Sequence, residues 1–216
     1  MELTNKKFIF IGDSITEGIG TTDESNIYWK RFEIQDGSTV KGYGLSGTRI
    51  AKQQKPSNEA WDRYFRSRVV DMDSDADVVV VFGGTNDYGH GDAAIGNFSD
   101  RTDDTFYGAL HNLYTDLMNK YPTANIIVMT PCHRIDENNL YNDFGVRCEG
   151  NLQKYVDIIK EVANFYAFPV LDLYSLSGMQ PAVEVNRNIY MPDGVHPSDE
   201  GHERIYNLLK GFLKRL

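Results

Sequence analysis

Cysteine is scarce in this chain: Cys132 and Cys148 are the two among 216 residues. A secreted scaffold stapled by disulfides needs more, so both read as reduced thiols. Basic charge is scarce too. Twenty-two Lys and Arg face 31 Asp and Glu, a formal net charge of -9. That excludes a general nucleic-acid binder, which needs a basic face, and disfavours docking on anionic lipid. Net charge does not exclude a basic pocket, because it says nothing about one site. No apolar run approaches the ~20 residues of a membrane helix, so no integral membrane association is expected. The residues before the first strand are polar and lack a signal-peptide core, which makes the cytoplasm the expected location. Asn97-Phe98-Ser99 spells a glycosylation sequon that matters only in a secretory compartment. Repeats, low-complexity tracts and linkers are absent, so 1–216 reads as one domain.

What is present is an alternation of short apolar runs and helical patterns. Segments 7–11, 77–82, 125–129 and 169–173 read as strands, with 38–41 a less apolar fifth. Their continuous apolar character predicts a parallel sheet covered on both faces. Apolar stripes at three- and four-residue steps predict helices over 105–120, 152–166 and 198–216, with another over 60–70. The fold class expected is α/β: a three-layer, doubly wound parallel sheet of about five strands. Ligands sit at the carboxyl ends of such strands. That rule selects residues 12–18, 42–49, 83–88, 130–134 and the stretch before the last helix.

Four fragments there carry chemistry. Ser14, in Gly12-Asp13-Ser14-Ile15, lies where a hydroxyl meets the free N–H groups of a helix start. A serine is a weak nucleophile without a base. Asp193-Gly194-Val195-His196 sets a carboxylate three residues before an imidazole, a spacing that lets Asp193 fix the ring's tautomer. Gly83-Gly84-Thr85-Asn86-Asp87 offers an amide donor for an oxyanion, and Gly44-Leu45-Ser46-Gly47-Thr48 a glycine N–H. Each fragment alone is equally a turn or a helix cap.

Together they resemble the SGNH hydrolases, also called GDSL esterases and lipases. The first block matches at Gly12-Asp13-Ser14-Ile15, with Ile15 in place of the final leucine. The second block's glycine corresponds to Gly47, the third to Gly84-Thr85-Asn86-Asp87 and the last to Asp193-Gly194-Val195-His196. The resemblance implies a flavodoxin-like sheet, Ser14 as nucleophile, and His196 as general base with Asp193 behind it. It also implies an oxyanion hole from the Ser14 and Gly47 N–H groups and the Asn86 side chain, and no cofactor. The sequence offers no obvious zinc cluster. The expected activity is hydrolysis of short-acyl carboxylic esters through an acyl-enzyme, with carbohydrate O-acetyl esters the leading substrates. A lysophospholipase or thioesterase of the same family, or a non-catalytic binding module on this fold, is the alternative. The expected partner is a small-molecule ester.

Asp13, Arg49, Tyr88, His90 and His133 stand near the block residues and are expected to contact substrate. Arg49 equally suits a structural ion pair, and Arg134 beside His133 shares its position on the active face. His111 and His202 fall in helix patterns and read as structural. Ser46 is a rival serine, but its flanks do not form Gly-x-Ser-x-Gly. Gly42, Gly44 and Gly47 spell a dinucleotide-binding Gly-x-Gly-x-x-Gly, yet it follows the second strand and no apolar helix comes after Arg49. The long connections 89–103 and 136–149 are expected to shape a pocket or an interface. Nothing in the sequence points to an oligomeric state.

Overall fold

A computed structural model describes the whole chain, residues 1–216. Strands β1 (Lys7–Gly12), β2 (Thr39–Gly44), β3 (Val78–Phe82), β4 (Asn125–Met129) and β5 (Val170–Leu171) make one sheet in the order β2-β1-β3-β4-β5. All four pairings are parallel, as the apolar runs predict. The register aligns Gly12 with Gly44 on one side and with Phe82 on the other. Three strands therefore release their chains at one level. This strand order is flavodoxin-like, and it reverses direction beside β1, the place where such sheets open a crevice.

Nine helices surround the sheet: α1 (Ser14–Glu17), α2 (Lys30–Asp36), α3 (Phe65–Arg68), α4 (Thr85–His90), α5 (Phe106–Lys120), α6 (Leu152–Phe165), α7 (Leu173–Leu176), α8 (Glu184–Tyr190) and α9 (Asp199–Leu213). Strand residues alternate between two cores. Ile9, Ile11, Val79, Val81 and Val128 pack with Leu110, Leu113 and Ile159 of α5 and α6. Phe8, Phe10, Val80, Phe82 and Ile127 pack with Phe32 of α2 and Ile205 and Leu209 of α9. Each such side chain, fully buried, stabilises the fold by roughly 1.5–3 kcal/mol. Thr105 and Ser198 cap α5 and α9 by accepting from the Gly108 and Gly201 N–H groups.

Two expectations are corrected. Segment 60–70 is not one helix but a 3-10 turn at Ala60–Asp62, then α3, then a second 3-10 turn at Val69–Asp71. Asp62 turns back to accept from the Ser57 N–H (2.6 Å), and the Phe65 N–H donates to Arg49 O (3.0 Å), which breaks the ladder. The strand expected over 169–173 is shorter, Val170–Leu171, because Asp172 accepts from the Ser175 N–H and starts α7. No helix is long and apolar enough to cross a membrane.

Candidate active site

The first strand delivers Ser14. Beyond Gly12 the Asp13 carboxylate accepts from the Ile15 N–H (3.0 Å), which starts α1 and sets Ser14 at its first position. Gly44 lets this turn lie against the end of β2, since a Cβ there would come within 2.1 Å of Glu17 N. The Ser14 N–H donates to no acceptor in the chain. Asp13 itself is 1% exposed, and burial pushes its carboxyl up to about 6 against the pull of the Ile15 N–H, His196 and Arg68. It is a cap beneath the site, which corrects the expected substrate contact.

The turn before α9 delivers the other two groups. His196 Nδ1–H donates to Asp193 Oδ2 at 2.6 Å, and Nε2 lies 2.9 Å from Ser14 Oγ. Because a carboxylate only accepts, Nδ1 carries the proton and Nε2 is free to take the hydroxyl's. Asp193 Oδ1 accepts from the backbone N–H groups of Val195 (2.9 Å) and His196 (2.7 Å). Partial burial works to raise the Asp193 carboxyl, but these donors outweigh it and hold the group below the usual carboxylate range. Ser198, two residues on, caps α9 and donates to Ile189 O (2.6 Å), anchoring the turn.

Two further fragments face Ser14. Gly47 has φ +74°, and a Cβ on it would lie 2.8 Å from the Trp61 Cβ. Its N–H has no acceptor within the chain. Asn86, on the first turn of α4, donates one amide hydrogen to Thr48 O at 3.0 Å, so its NH2 is oriented toward the Gly47 loop with a second hydrogen unspent. Asp87 clamps the same loop by accepting from the Ile50 and Ala51 N–H groups, both at 2.9 Å. Arg68 ties it to the sheet, donating to Tyr43 O, Gly12 O and Thr48 Oγ1 at 2.8–3.1 Å. The Gly-x-Gly-x-x-Gly spacing thus serves packing: Gly44 seats α1 and Gly47 makes room for Trp61.

These groups open on a cleft of about 390 Å3 that includes Ser14, Gly47, Asn86 and His196. Its remaining wall is Ile19, Ser46, His90, Arg134, Asp143 and Val195. Ser46 Oγ donates to Glu17 and makes no hydrogen bond to an imidazole. His90 Nε2–H donates to Gly47 O at 3.1 Å, and burial first, then Arg49 and Arg134, hold its ring below the usual histidine range. A second cavity of about 400 Å3 shares His90 and carries the exposed rings of Trp61 and Phe144.

Of the expected substrate contacts, only His90 reaches the cleft. Arg49 is buried, paired with Asp62 and donating to Gly47 O at 3.0 Å; it supports the loop and lines the second cavity, not the cleft in front of Ser14. Tyr88 is 3% exposed and its hydroxyl serves the backbone of Asp136 and Asn139. His133 turns away to donate to Glu137 (2.7 Å) and stacks on Tyr174. Segment 136–149 does contribute to the cleft, through Asp143. No motif marks Ile19, Asp143 or Arg68, and Val195 enters only as a variable position of the last block. His202, fully buried, accepts from the Tyr28 N–H at 3.2 Å, and His111 sits under Tyr166. Both cysteines are free, and burial pushes the Cys132 thiol up to about 12. No cluster of three His, Cys, Asp or Glu side chains is placed to hold a metal.

This fold and this arrangement of side chains are of the GDSL hydrolase type. Residues 10–204 match the GDSL-like Lipase/Acylhydrolase family, and the chain belongs to it. No protein of curated function matches the chain. Among solved structures it is similar to a Lactobacillus plantarum protein, with 29% identity, a TM-score of 0.82 and 98% of each chain covered. A provisionally assigned GDSL-like lipase of Bacteroides uniformis has 20% identity and a TM-score of 0.71, covering 98% of this chain and 97% of its own. An acetyl xylan esterase, AlAXEase, has 22% identity and a TM-score of 0.61, covering 95% and 98%. The last two likenesses concern the fold.

Proposed function

We propose that the chain is a serine ester hydrolase that cleaves short-acyl carboxylic esters through an acyl-enzyme. The observation that carries this reading is the unbroken relay from Asp193 through His196 to Ser14, at 2.6 and 2.9 Å. His196 Nε2 takes the hydroxyl proton as Ser14 Oγ attacks the ester carbonyl. Asp193 holds the ring and stabilises the imidazolium that forms. The Ser14 and Gly47 N–H groups and the Asn86 amide meet the oxyanion. His196 then protonates the departing alcohol, and water repeats the sequence on the acyl-enzyme. These steps use only the chain's own residues.

The walls support a short acyl group. Ile19 and Val195 are the only hydrophobic residues lining the cleft and its volume is about 390 Å3, so a lipid tail would run beyond it. The neighbouring cavity, with the Trp61 and Phe144 rings beside polar side chains, suits a bulky polar alcohol such as a sugar. That supports a carbohydrate O-acetylesterase over a lysophospholipase or a long-chain thioesterase.

The test separates catalysis from mere binding. Wild-type protein should be labelled covalently by a serine-directed phosphonate and should hydrolyse p-nitrophenyl acetate. Ser14→Ala should abolish both while the circular dichroism spectrum is kept. Wild-type-level hydrolysis in the variant would remove Ser14 from its role. An unlabelled, inactive wild-type protein would favour a binding module.

A further inference from the structure

One group in the cleft has no part in the hydrolytic steps. Arg134 follows β4 and is 5% exposed, although it lines the space in front of Ser14 and His196. Of its five N–H groups few are used. Nη1 donates to Thr85 O at 3.3 Å, a long bond, and Nε has no partner. Nη2 stands 3.6 Å from Asp143 Oδ2, beyond hydrogen-bond distance. The guanidinium is held instead by shape. It lies against Gly89, where a Cβ would sit 2.1 Å from Nη1, and its carbon is 5.7 Å from the centre of the Tyr88 ring. Asp143 is the loose member of the pair, its side chain 56% exposed.

A buried guanidinium is costly unless strong acceptors meet it. Here a rigid, seated cation faces the cleft of a chain with net charge -9, and the carboxylate paired with it, 3.6 Å away, is not hydrogen-bonded to it and sits on an exposed segment. The arrangement fits a recognition site whose acceptor comes from outside. A planar guanidinium takes a carboxylate or a phosphate in two parallel bonds, and neither His90 nor Asn86 can supply that charge.

We propose that Arg134 determines specificity by binding an anionic group, a carboxylate or a phosphate, carried by the ester substrate, and that Asp143 stands in for that group in the free enzyme. The inference rests on the esterase reading and narrows its substrate class: a short-acyl ester with a negative charge near the scissile bond. Asp143 moves aside on its segment when substrate enters.

Matched esters test this. On the alcohol side, phenyl acetate is compared with 3-carboxyphenyl acetate and with its 3-phosphate counterpart. On the acyl side, p-nitrophenyl pentanoate is compared with mono-p-nitrophenyl glutarate, with spontaneous hydrolysis subtracted. At least one anionic ester should be preferred over its neutral partner in kcat/KM, mainly through KM. Charged hydrogen bonds of this kind correspond to about 10–100-fold. Arg134→Gln should reduce the preference to near unity, and Arg134→Lys should restore part of it. Asp143→Asn should increase the preference, because the competing carboxylate is gone. Which arm responds identifies the anion and its side of the ester. Neutral and anionic esters cleaved alike by wild type would overturn the inference and leave the esterase reading standing. So would a preference that survives Arg134→Gln. Should that variant fail to fold, Asp143→Asn carries the decision, and an unchanged preference counts against the role. If wild type cleaves no ester of the set, the esterase reading falls and this inference with it.

Discussion

Asn86 is placed so that one residue could hold two roles at once. One amide hydrogen ties Thr48 O, and the other remains for the cleft. Asn86→Ala should lower kcat by roughly 10²–10³-fold, the usual cost of one oxyanion donor, with KM little changed. It should also cost about 1–3 kcal/mol of stability, since Thr48 O loses its partner in a buried place. Steady-state kinetics and urea unfolding read the two effects separately. A stability loss with kcat within a fewfold of wild type would reduce the amide to a loop tie. Asp13 makes a different prediction. Its carboxyl titrates near 3.8 unfolded and is pushed up to about 6 by burial in the folded chain. Below 3.8 both states hold the proton. As pH rises toward 6 the unfolded chain ionises first, so stability is lost across that window and stays lost above it. The loss should be about 3 kcal/mol. Asp13→Asn keeps the cap and removes the titration, so its stability relative to wild type should improve by most of that amount, about 2 kcal/mol, between pH 4 and pH 7. Urea midpoints at the two pH values measure it, and a constant difference would refute the assignment.

Helix ends decide where the site's residues point. Ser198 caps α9 two residues after His196, which joins the last helix to the turn carrying Asp193 and His196. Ser198→Ala should lower stability by about 1 kcal/mol, visible as a lower urea midpoint at unchanged slope. A midpoint equal to wild type would mean that the backbone turn holds the helix start without the hydroxyl. Legibility differs among elements for physical reasons. Helices α5, α6 and α9 are long enough to show an apolar stripe, and their starts and ends fall close to the expected ranges. The strands β1, β3 and β4 are apolar on both faces because two cores cover them. By contrast, α2 buries only Phe32 and α8 buries nothing, so neither leaves a stripe to read. Segment 60–70 has apolar residues at helical spacing, but Asp62 and its partners override the pattern.

For the whole molecule, the reversal of strand order beside β1 is what brings the four blocks to one crevice. The crevice is small, and only Ile19 and Val195 among its lining residues are hydrophobic. Activity on a series of p-nitrophenyl esters should therefore be highest at acetate or butyrate and fall steeply by octanoate. A profile rising with chain length would point to an apolar groove beyond this cleft and return the lipid reading. The acidic balance of the chain is a property of its outer surface and leaves room for Arg134 inside the cleft.

The sequence by itself determined the layered α/β class, the strand positions and the four blocks that carry the family. These are local properties: a strand buried on both faces must be apolar throughout, and a cap or a turn restricts residue type at fixed spacing. Tertiary structure decided what those blocks do to one another. Ser14 and His196 are 182 residues apart and meet only because β1 and the turn before α9 end at the same edge. It also decided that His90 and Arg134 face the cleft while Asp13, Arg49, Tyr88 and His133 do not. The direction of a side chain at a strand exit depends on which neighbour accepts its hydrogen bonds. That neighbour, whether Asp62 for Arg49 or the 136–139 backbone for Tyr88, is assigned by packing across the fold.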